Sequence, residues 1–165
     1  MASSATILSF VTPADIEQLR QTRDLFQEYA ASVGVDLCFQ SFDEELATLP
    51  GNYAPPQGRL ILASHDGLAA GCVAFRRIAA GVCEMKRLYV RHAFRGLGIG
   101  HLLVDRVIVE ARAAGYERMR LDTLPSMGAA QELYRARGFR EIPPYTRNPV
   151  PGALFLELEL KGRLP

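Results

Sequence analysis

The chain is poor in several features that would each fix a class of function. It has three cysteines, Cys38, Cys72 and Cys83, an odd number with no C-x-x-C spacing. That pattern argues against a metal centre built on thiolates and for a reduced, cytoplasmic protein; Cys72 and Cys83 sit in apolar runs, where free cysteine behaves as a small hydrophobe. No apolar run approaches the roughly 18 residues a membrane helix needs. The start, "MASSATILSF", lacks a basic stretch, and its apolar part is too short for a secretory signal. A formal net charge of +1 supplies no field to gather nucleic acid or an anionic membrane surface. Neither is therefore expected as a partner, and any anion must be held by a local site. There are no repeats and no low-complexity tracts. What remains is a chain of 165 residues, 48% hydrophobic and 22% charged, the size of one domain over 1–165 and long enough to bury a core.

Local patterning places the elements. "TILSFV" (6–11) is short and β-branched and predicts a first strand. A helix follows, with Thr12 as the expected N-cap, Pro13 at its first position and Gly34 at its stop. "SFDEELATL" (41–49) predicts a second helix opened by a capping box of Ser41 and Glu44. After the proline-rich loop "PGNYAPPQG" come three strands, "RLILAS", "GLAAGCVAFRRI" and "GVCEMKRLYV", joined at "HDG" and "AAG" as an antiparallel meander. Further on, Leu103, Val104, Val107, Ile108 and Ala111 line one face of a helix stopped by Gly115. "ERMRLDTL" is a strand, "SMGAAQELYRARG" a helix, and "ALFLELEL" an alternating last strand. The order β-α-α-β-β-β-α-β-α-β-β defines an α/β protein whose sheet mixes antiparallel and parallel pairs.

Between the meander and the next helix stands "FRGLGIGH" (94–101), three glycines at alternate positions behind an arginine. A loop of this kind leaves backbone N–H groups unpaired at a helix N-terminus, where the helix dipole also favours negative charge. Glycines allow positive φ and let a phosphate approach without a Cβ in the way, and Arg95 adds a fixed cation. A phosphate or pyrophosphate ligand follows. A P-loop would need Lys-Ser/Thr after its last glycine, but Gly100 is followed by His101 and Leu102. A dinucleotide fingerprint would need a glycine where His101 stands, although Asp122 does end the next strand at a suitable distance.

On these residues the chain resembles the GNAT N-acetyltransferases, which use acetyl-CoA. Their signature, Arg/Gln-x-x-Gly-x-Gly/Ala after a strand, is filled by Arg95, Gly98 and Gly100. The preceding "LYV" and the later "AQELYRARGF" are similar to the family's fourth strand and fourth helix. The resemblance covers nearly the whole chain and implies the GNAT fold, a central mixed seven-stranded sheet flanked by about four helices. It also implies an acetyl-CoA-dependent N-acetyltransferase that works by direct attack in a ternary complex. The CoA pyrophosphate would lie on the loop Arg95, Gly96, Leu97, Gly98, Ile99, Gly100 and His101. The pantetheine arm would pair with the backbone of Leu88, Tyr89 and Val90; core packing explains the apolar side chains of Leu88 and Val90 equally well. Gly96 lies outside the family's requirement and is explained by the turn alone.

Tyr134 stands where the family carries the general acid that protonates the departing thiolate. Glu84 stands where several members carry a general base, although Lys86 has the same strand parity and an ion pair would explain both. Where members often have an asparagine contact to CoA, this chain has Met127. His92 sits in a turn, and His65 is expected to face solvent in its hairpin. The linker "REIPPYTRNPVPGA" brings Tyr145, Arg147 and Asn148 to the acceptor side. Without an acidic patch for a polybasic substrate, the expected acceptor is the primary amine of a small molecule, such as an amino acid whose carboxylate Arg147 would grip. The alternatives are an N-terminal or lysine acetyltransferase of proteins and a non-catalytic acyl-CoA-binding module. Family members are commonly dimers, so the resemblance also implies a homodimer.

Overall fold

The structure, a computed structural model, describes residues 8–34, 36–37 and 41–161. Cys38 and the first residues of the strand expected at 6–11 lie outside the described residues. In chain order the elements are β1 (Leu8–Val11), α1 (Ile16–Val33), α2 (Phe42–Thr48), β2 (Arg59–His65), β3 (Leu68–Ala79), β4 (Val82–Val90), α3 (Ile99–Ala113), β5 (Arg118–Thr123), α4 (Gly128–Ala136), β6 (Arg140–Ile142) and β7 (Leu154–Glu159). The strands form one seven-stranded sheet in the order β1-β2-β3-β4-β5-β7-β6. Every pairing is antiparallel except β4 with β5, which are joined through α3 and run parallel. This is the mixed sheet with four helices that the element order predicted.

Strand alternation sorts side chains into two layers. On one face Ile61, Val73, Phe75, Met85 and Leu121 pack against Leu103, Val104 and Val107 of α3. On the other, Leu60, Leu62, Cys72 and Ala74 pack against Leu25 and Phe26 of α1 and Phe42 of α2. The five apolar positions expected on one face of α3 are all buried.

Two expected helix starts differ. The N-cap of α1 is Asp15, whose carboxylate accepts the Gln18 N–H at 2.7 Å, while the Gln18 amide oxygen accepts the Ala14 N–H at 3.1 Å. Thr12 and Pro13 precede that reciprocal pair, and Pro13 is buried before the helix begins. The capping box of α2 does not form: Ser41 has φ 55°, and its side chain makes no cap bond. An N-cap side chain reaches the helix amides from extended backbone, which Ser41 does not have. The two hairpins of the meander are present, the first turning on Asp66 and Gly67 with φ 49° and 82°.

Candidate active site

The site arises where the sheet comes apart. β4 pairs with β5 only from Val82 to Glu84 against Arg118 to Arg120, and beyond Glu84 the two parallel strands diverge. A bulge accompanies the divergence: Cys72 to Ala74 on β3 spans two residues while Lys86 to Tyr89 on β4 spans three. Arg87 takes φ 64° there. A bulge points two successive side chains the same way, and here it sends Arg87 back toward α1 and α2. Its guanidinium binds Glu45 at 2.8 Å and lies 5.6 and 5.0 Å from the ring centres of Tyr29 and Phe42. The Glu45 hydrogen bond holds the Arg87 pKa up against the burial that opposes it. A buried and fully engaged arginine thus pins both helices to the kink.

The wedge so opened is a cavity of about 670 Å³. One end is the glycine loop. After a short 3-10 turn at His92–Phe94, Gly96 and Gly98 both adopt left-handed backbone, φ 81° and 78°, and Gly98 is the N-cap of α3. Gly98 has no side chain to cap with, and the first intrahelical amide bond is Leu102 N–H to the Gly98 carbonyl. The amides of Ile99, Gly100 and His101 therefore have no partner among the described residues. A Cβ at Gly96 or Gly98 would meet nothing within 4 Å, and Ile99, Gly100 and His101 all line the cavity. Unpaired donors at a helix N-terminus, under open space, suit a phosphate. Arg95 folds back on the strand, its Nε donating to the Val90 carbonyl at 3.1 Å.

The other end is the floor between the diverging strands, lined by Met85, Lys86, Leu121, Asp122 and Tyr134. Tyr134, on α4, is 7% exposed and packs against Phe139 at 5.6 Å between ring centres. Its hydroxyl makes no hydrogen bond among the described residues. Burial pushes its pKa up, with Tyr29 and Asp122 adding to the effect, so it is a neutral phenol that keeps its proton. Asp122, a lining residue, accepts the Asn148 side-chain N–H on Oδ2 at 3.0 Å, and its Oδ1 has no hydrogen bond among the described residues.

Glu84 lies below this floor and does not line the cavity. Its Oε1 accepts two N–H groups of Arg76 at 3.1 and 3.0 Å, and its Oε2 accepts the Tyr145 hydroxyl at 2.7 Å. The Lys86 ammonium stands 3.7 Å away, beyond hydrogen-bond reach. Burial pushes the Glu84 pKa up, but Lys86, the Tyr145 hydrogen bond and Arg76 outweigh it and hold the carboxyl below its ordinary value. Burial lowers the Lys86 pKa, with Glu84 opposing. Glu84, Arg76, Tyr145 and Lys86 form one polar cluster in which both carboxylate oxygens are hydrogen-bonded and the lysine is not.

The structure brings together most of the residues singled out in the sequence. Leu88, Tyr89 and Val90 from β4, Arg95, Gly96, Gly98, Ile99, Gly100 and His101 from the loop, and Tyr134 from α4 all line the one cavity. Leu97 does not; it is 54% exposed. Met127, at the expected asparagine position, is a wall residue. His101 stands 3.1 Å from the Arg137 guanidinium. His65 is not solvent-facing: its side chain is 19% exposed and its ring lies 5.4 Å from that of Phe94. Of the linker residues, Tyr145 and Asn148 reach the site through Glu84 and Asp122, whereas Arg147 is exposed. Sequence reasoning gave Lys86 only an ion pair with Glu84 and weighed Asp122 only for a dinucleotide site, although their charges inside apolar strands were the signal.

A mixed sheet split beside a glycine loop and closed by four helices is the architecture of an acyl-CoA acyltransferase. The Acetyltransferase (GNAT) family model matches residues 19–139, and the chain belongs to that family. It is an acetyl-CoA-dependent N-acetyltransferase. A protein of Schizosaccharomyces pombe named as an uncharacterized N-acetyltransferase is 41% identical over 96% of this chain and 96% of its own length. An IAA acetyltransferase of Azospirillum brasilense is 36% identical over 65% of this chain and 71% of its own length. An N-acetylaspartate synthetase of Danio rerio is 31% identical over 67% of this chain and 43% of its own length. Among solved structures, a GNAT acetyltransferase of Staphylococcus aureus superposes with a TM-score of 0.77 at 21% identity, covering 94% of this chain and 100% of its own. A Salmonella typhimurium acetyltransferase crystallised with acetyl-CoA superposes at 0.64, with 21% identity over 96% of this chain and 97% of its own. At these identities the superpositions speak for the fold. Among the described residues, no helix is long and apolar enough to cross a membrane.

Proposed function

We propose that this enzyme acetylates the primary amine of a small molecule by direct attack within a ternary complex, residues 1–165 acting as one acetyltransferase domain. One observation carries the reading: a single cavity runs from the unpaired amides of the glycine loop to an unbonded tyrosine hydroxyl at the strand divergence. Acetyl-CoA supplies the activated acetyl group. The amides of Ile99, Gly100 and His101 would hold its pyrophosphate, and the unpaired edge of β4 at Leu88, Tyr89 and Val90 would align its arm. Tyr134, kept neutral by burial, donates its proton to the departing sulfur.

The acceptor must lose a proton before it can attack. Asp122 lines the cavity and has a carboxylate oxygen without a hydrogen bond among the described residues, whereas both oxygens of Glu84 are engaged by Arg76 and Tyr145 and Glu84 does not line the cavity. We assign Asp122 to hold the incoming amine and receive its proton, directly or through water, and Glu84 to position Lys86. Cys72 and Cys83 are free and buried, with the Cys83 thiol pushed up to about 12 by burial. Neither is poised to carry an acyl group, and free thiols fit a reducing, cytoplasmic setting. The relatives named for IAA and N-acetylaspartate support a small acceptor over a protein one.

The test is thiol release from acetyl-CoA across a library of small amines, with peptides in parallel. Turnover with small amines and none with peptides is expected. Turnover confined to peptides, or none with any acceptor, overturns the reading.

A further inference from the structure

Two cations surround Glu84, and they differ in what they face. Arg76 donates two hydrogen bonds to the carboxylate and lines a separate cavity of about 420 Å³ beside α2. Lys86 faces the catalytic cavity. Its side chain is 5% exposed, its nearest carboxylate oxygen is 3.7 Å away, and its ammonium makes no hydrogen bond among the described residues. Glu84 is held by Arg76 and Tyr145 at a distance from which it makes no hydrogen bond to the ammonium. Arg87, the next residue, shows the contrast: equally buried, it is matched by Glu45 at 2.8 Å.

The ammonium nitrogen is not fully enclosed by protein atoms, so its acceptors must come from what fills the cavity. The position of Lys86 says what that is. It shares the cavity floor with Asp122, so the floor presents one cation and one anion side by side. An amino acid carries the complementary pair, a carboxylate for Lys86 and an amine for Asp122. We infer that Lys86 is the specificity-determining residue and that it holds a carboxylate of the acceptor, which makes the substrate class carboxylate-bearing primary amines. The inference rests on the acetyltransfer reading above and adds to it both the class of acceptor and the residue that selects it. Exposed Arg147 is then not needed as the carboxylate grip.

The experiment compares matched acceptors, free amino acids and their C-terminal amides with L-aspartate and L-asparagine included, at saturating acetyl-CoA. The wild type is expected to favour the carboxylate by about 100-fold in kcat/KM, expressed in KM, the scale of a buried charge-assisted hydrogen bond. In Lys86→Met that ratio falls to within a few-fold of one, while Lys86→Arg retains a clear preference. Lys86→Gln serves as a second neutral variant, with circular dichroism and a thermal melt reporting folding in each. A wild-type enzyme indifferent to the carboxylate, or folded neutral variants that keep the wild-type ratio, overturns this inference alone. Absence of transfer to every acceptor removes the acetyltransfer reading and this inference with it.

Discussion

The two ends of the cavity are made of different materials. The loop end is backbone: amides freed by left-handed glycines at the start of α3, contributed by one continuous stretch, 94–101. The floor is side chain: Lys86 and Asp122 come from two strands, backed by Arg76 on β3, Glu84 on β4, and Tyr145 and Asn148 on the link between β6 and β7. Backbone donors recognise a phosphate whatever the rest of the ligand is, so the loop end suits the part of a substrate that never changes. Placed charges discriminate, so the floor suits the part that varies. Tyr134 stands at the floor end, and its loss separates the two ends most sharply. Tyr134→Phe keeps the ring against Phe139 and removes only the hydroxyl proposed as the proton donor. Turnover is expected to fall by about 10²-fold or more, the usual scale of a positioned acid. Acetyl-CoA binding measured by calorimetry should persist, because the loop amides are untouched; loss of binding would mean the ends are not separable.

The same division explains what the sequence made legible. Gly98, Gly100, Arg95 and Tyr134 lie in short local patterns, a strand-loop-helix and a helix with its glycine stop, whose geometry follows from neighbouring residues. The apolar face of α3 was equally plain, because helical period alone sets it. The floor depends on register, which no local pattern encodes. Arg76 meets Glu84 because β3 and β4 pair at that offset, and Tyr145 arrives from 61 residues away. The bulge at Arg87 is also invisible locally, since an arginine in left-handed backbone is held there by Glu45 on α2 and not by its own preference. Ser41 teaches the same lesson in reverse. Its spacing to Glu44 fits a capping box, yet the chain enters α2 in a conformation that disables it.

Removing the charge of Glu84 should test the floor without touching the loop. Glu84→Gln leaves Arg76 and Lys86 without their shared counter-ion in a buried setting, a loss of about 3 kcal/mol or more at neutral pH. The sign of its pH dependence follows from the depressed carboxyl. The folded protein binds the Glu84 proton less readily than the unfolded chain. Its stabilisation is therefore complete above the unfolded carboxylate range and is lost as pH falls through the lowered folded value. Urea titrations should show the gap between wild type and Glu84→Gln widest near neutrality and closing in acid. A gap independent of pH would mean that Glu84 does not act through its charge. Lys86 has a different role, and Lys86→Met should alter acceptor preference at a smaller cost in stability.

The smallest expected effect lies at the loop end and contrasts two glycines only two residues apart. Gly98 has φ 78°, and a Cβ there meets nothing within 4 Å, so Gly98→Ala is opposed by backbone strain alone, about 1 kcal/mol. Gly100 lies inside α3 without positive φ, and its added Cβ would sit 3.8 Å from Val90 and 3.9 Å from Leu133, ordinary contact. Gly100→Ala should therefore raise stability by up to about 1 kcal/mol through helix propensity. Both substitutions place a methyl group at the amides assigned to the pyrophosphate and should weaken acetyl-CoA binding. Gly98→Ala is thus expected to lower both Tm and affinity, and Gly100→Ala to raise Tm while lowering affinity. Calorimetry and thermal melts on the two variants resolve the pair. If affinity instead tracks stability in both, the glycines serve the fold, and the loop amides do not contact the ligand.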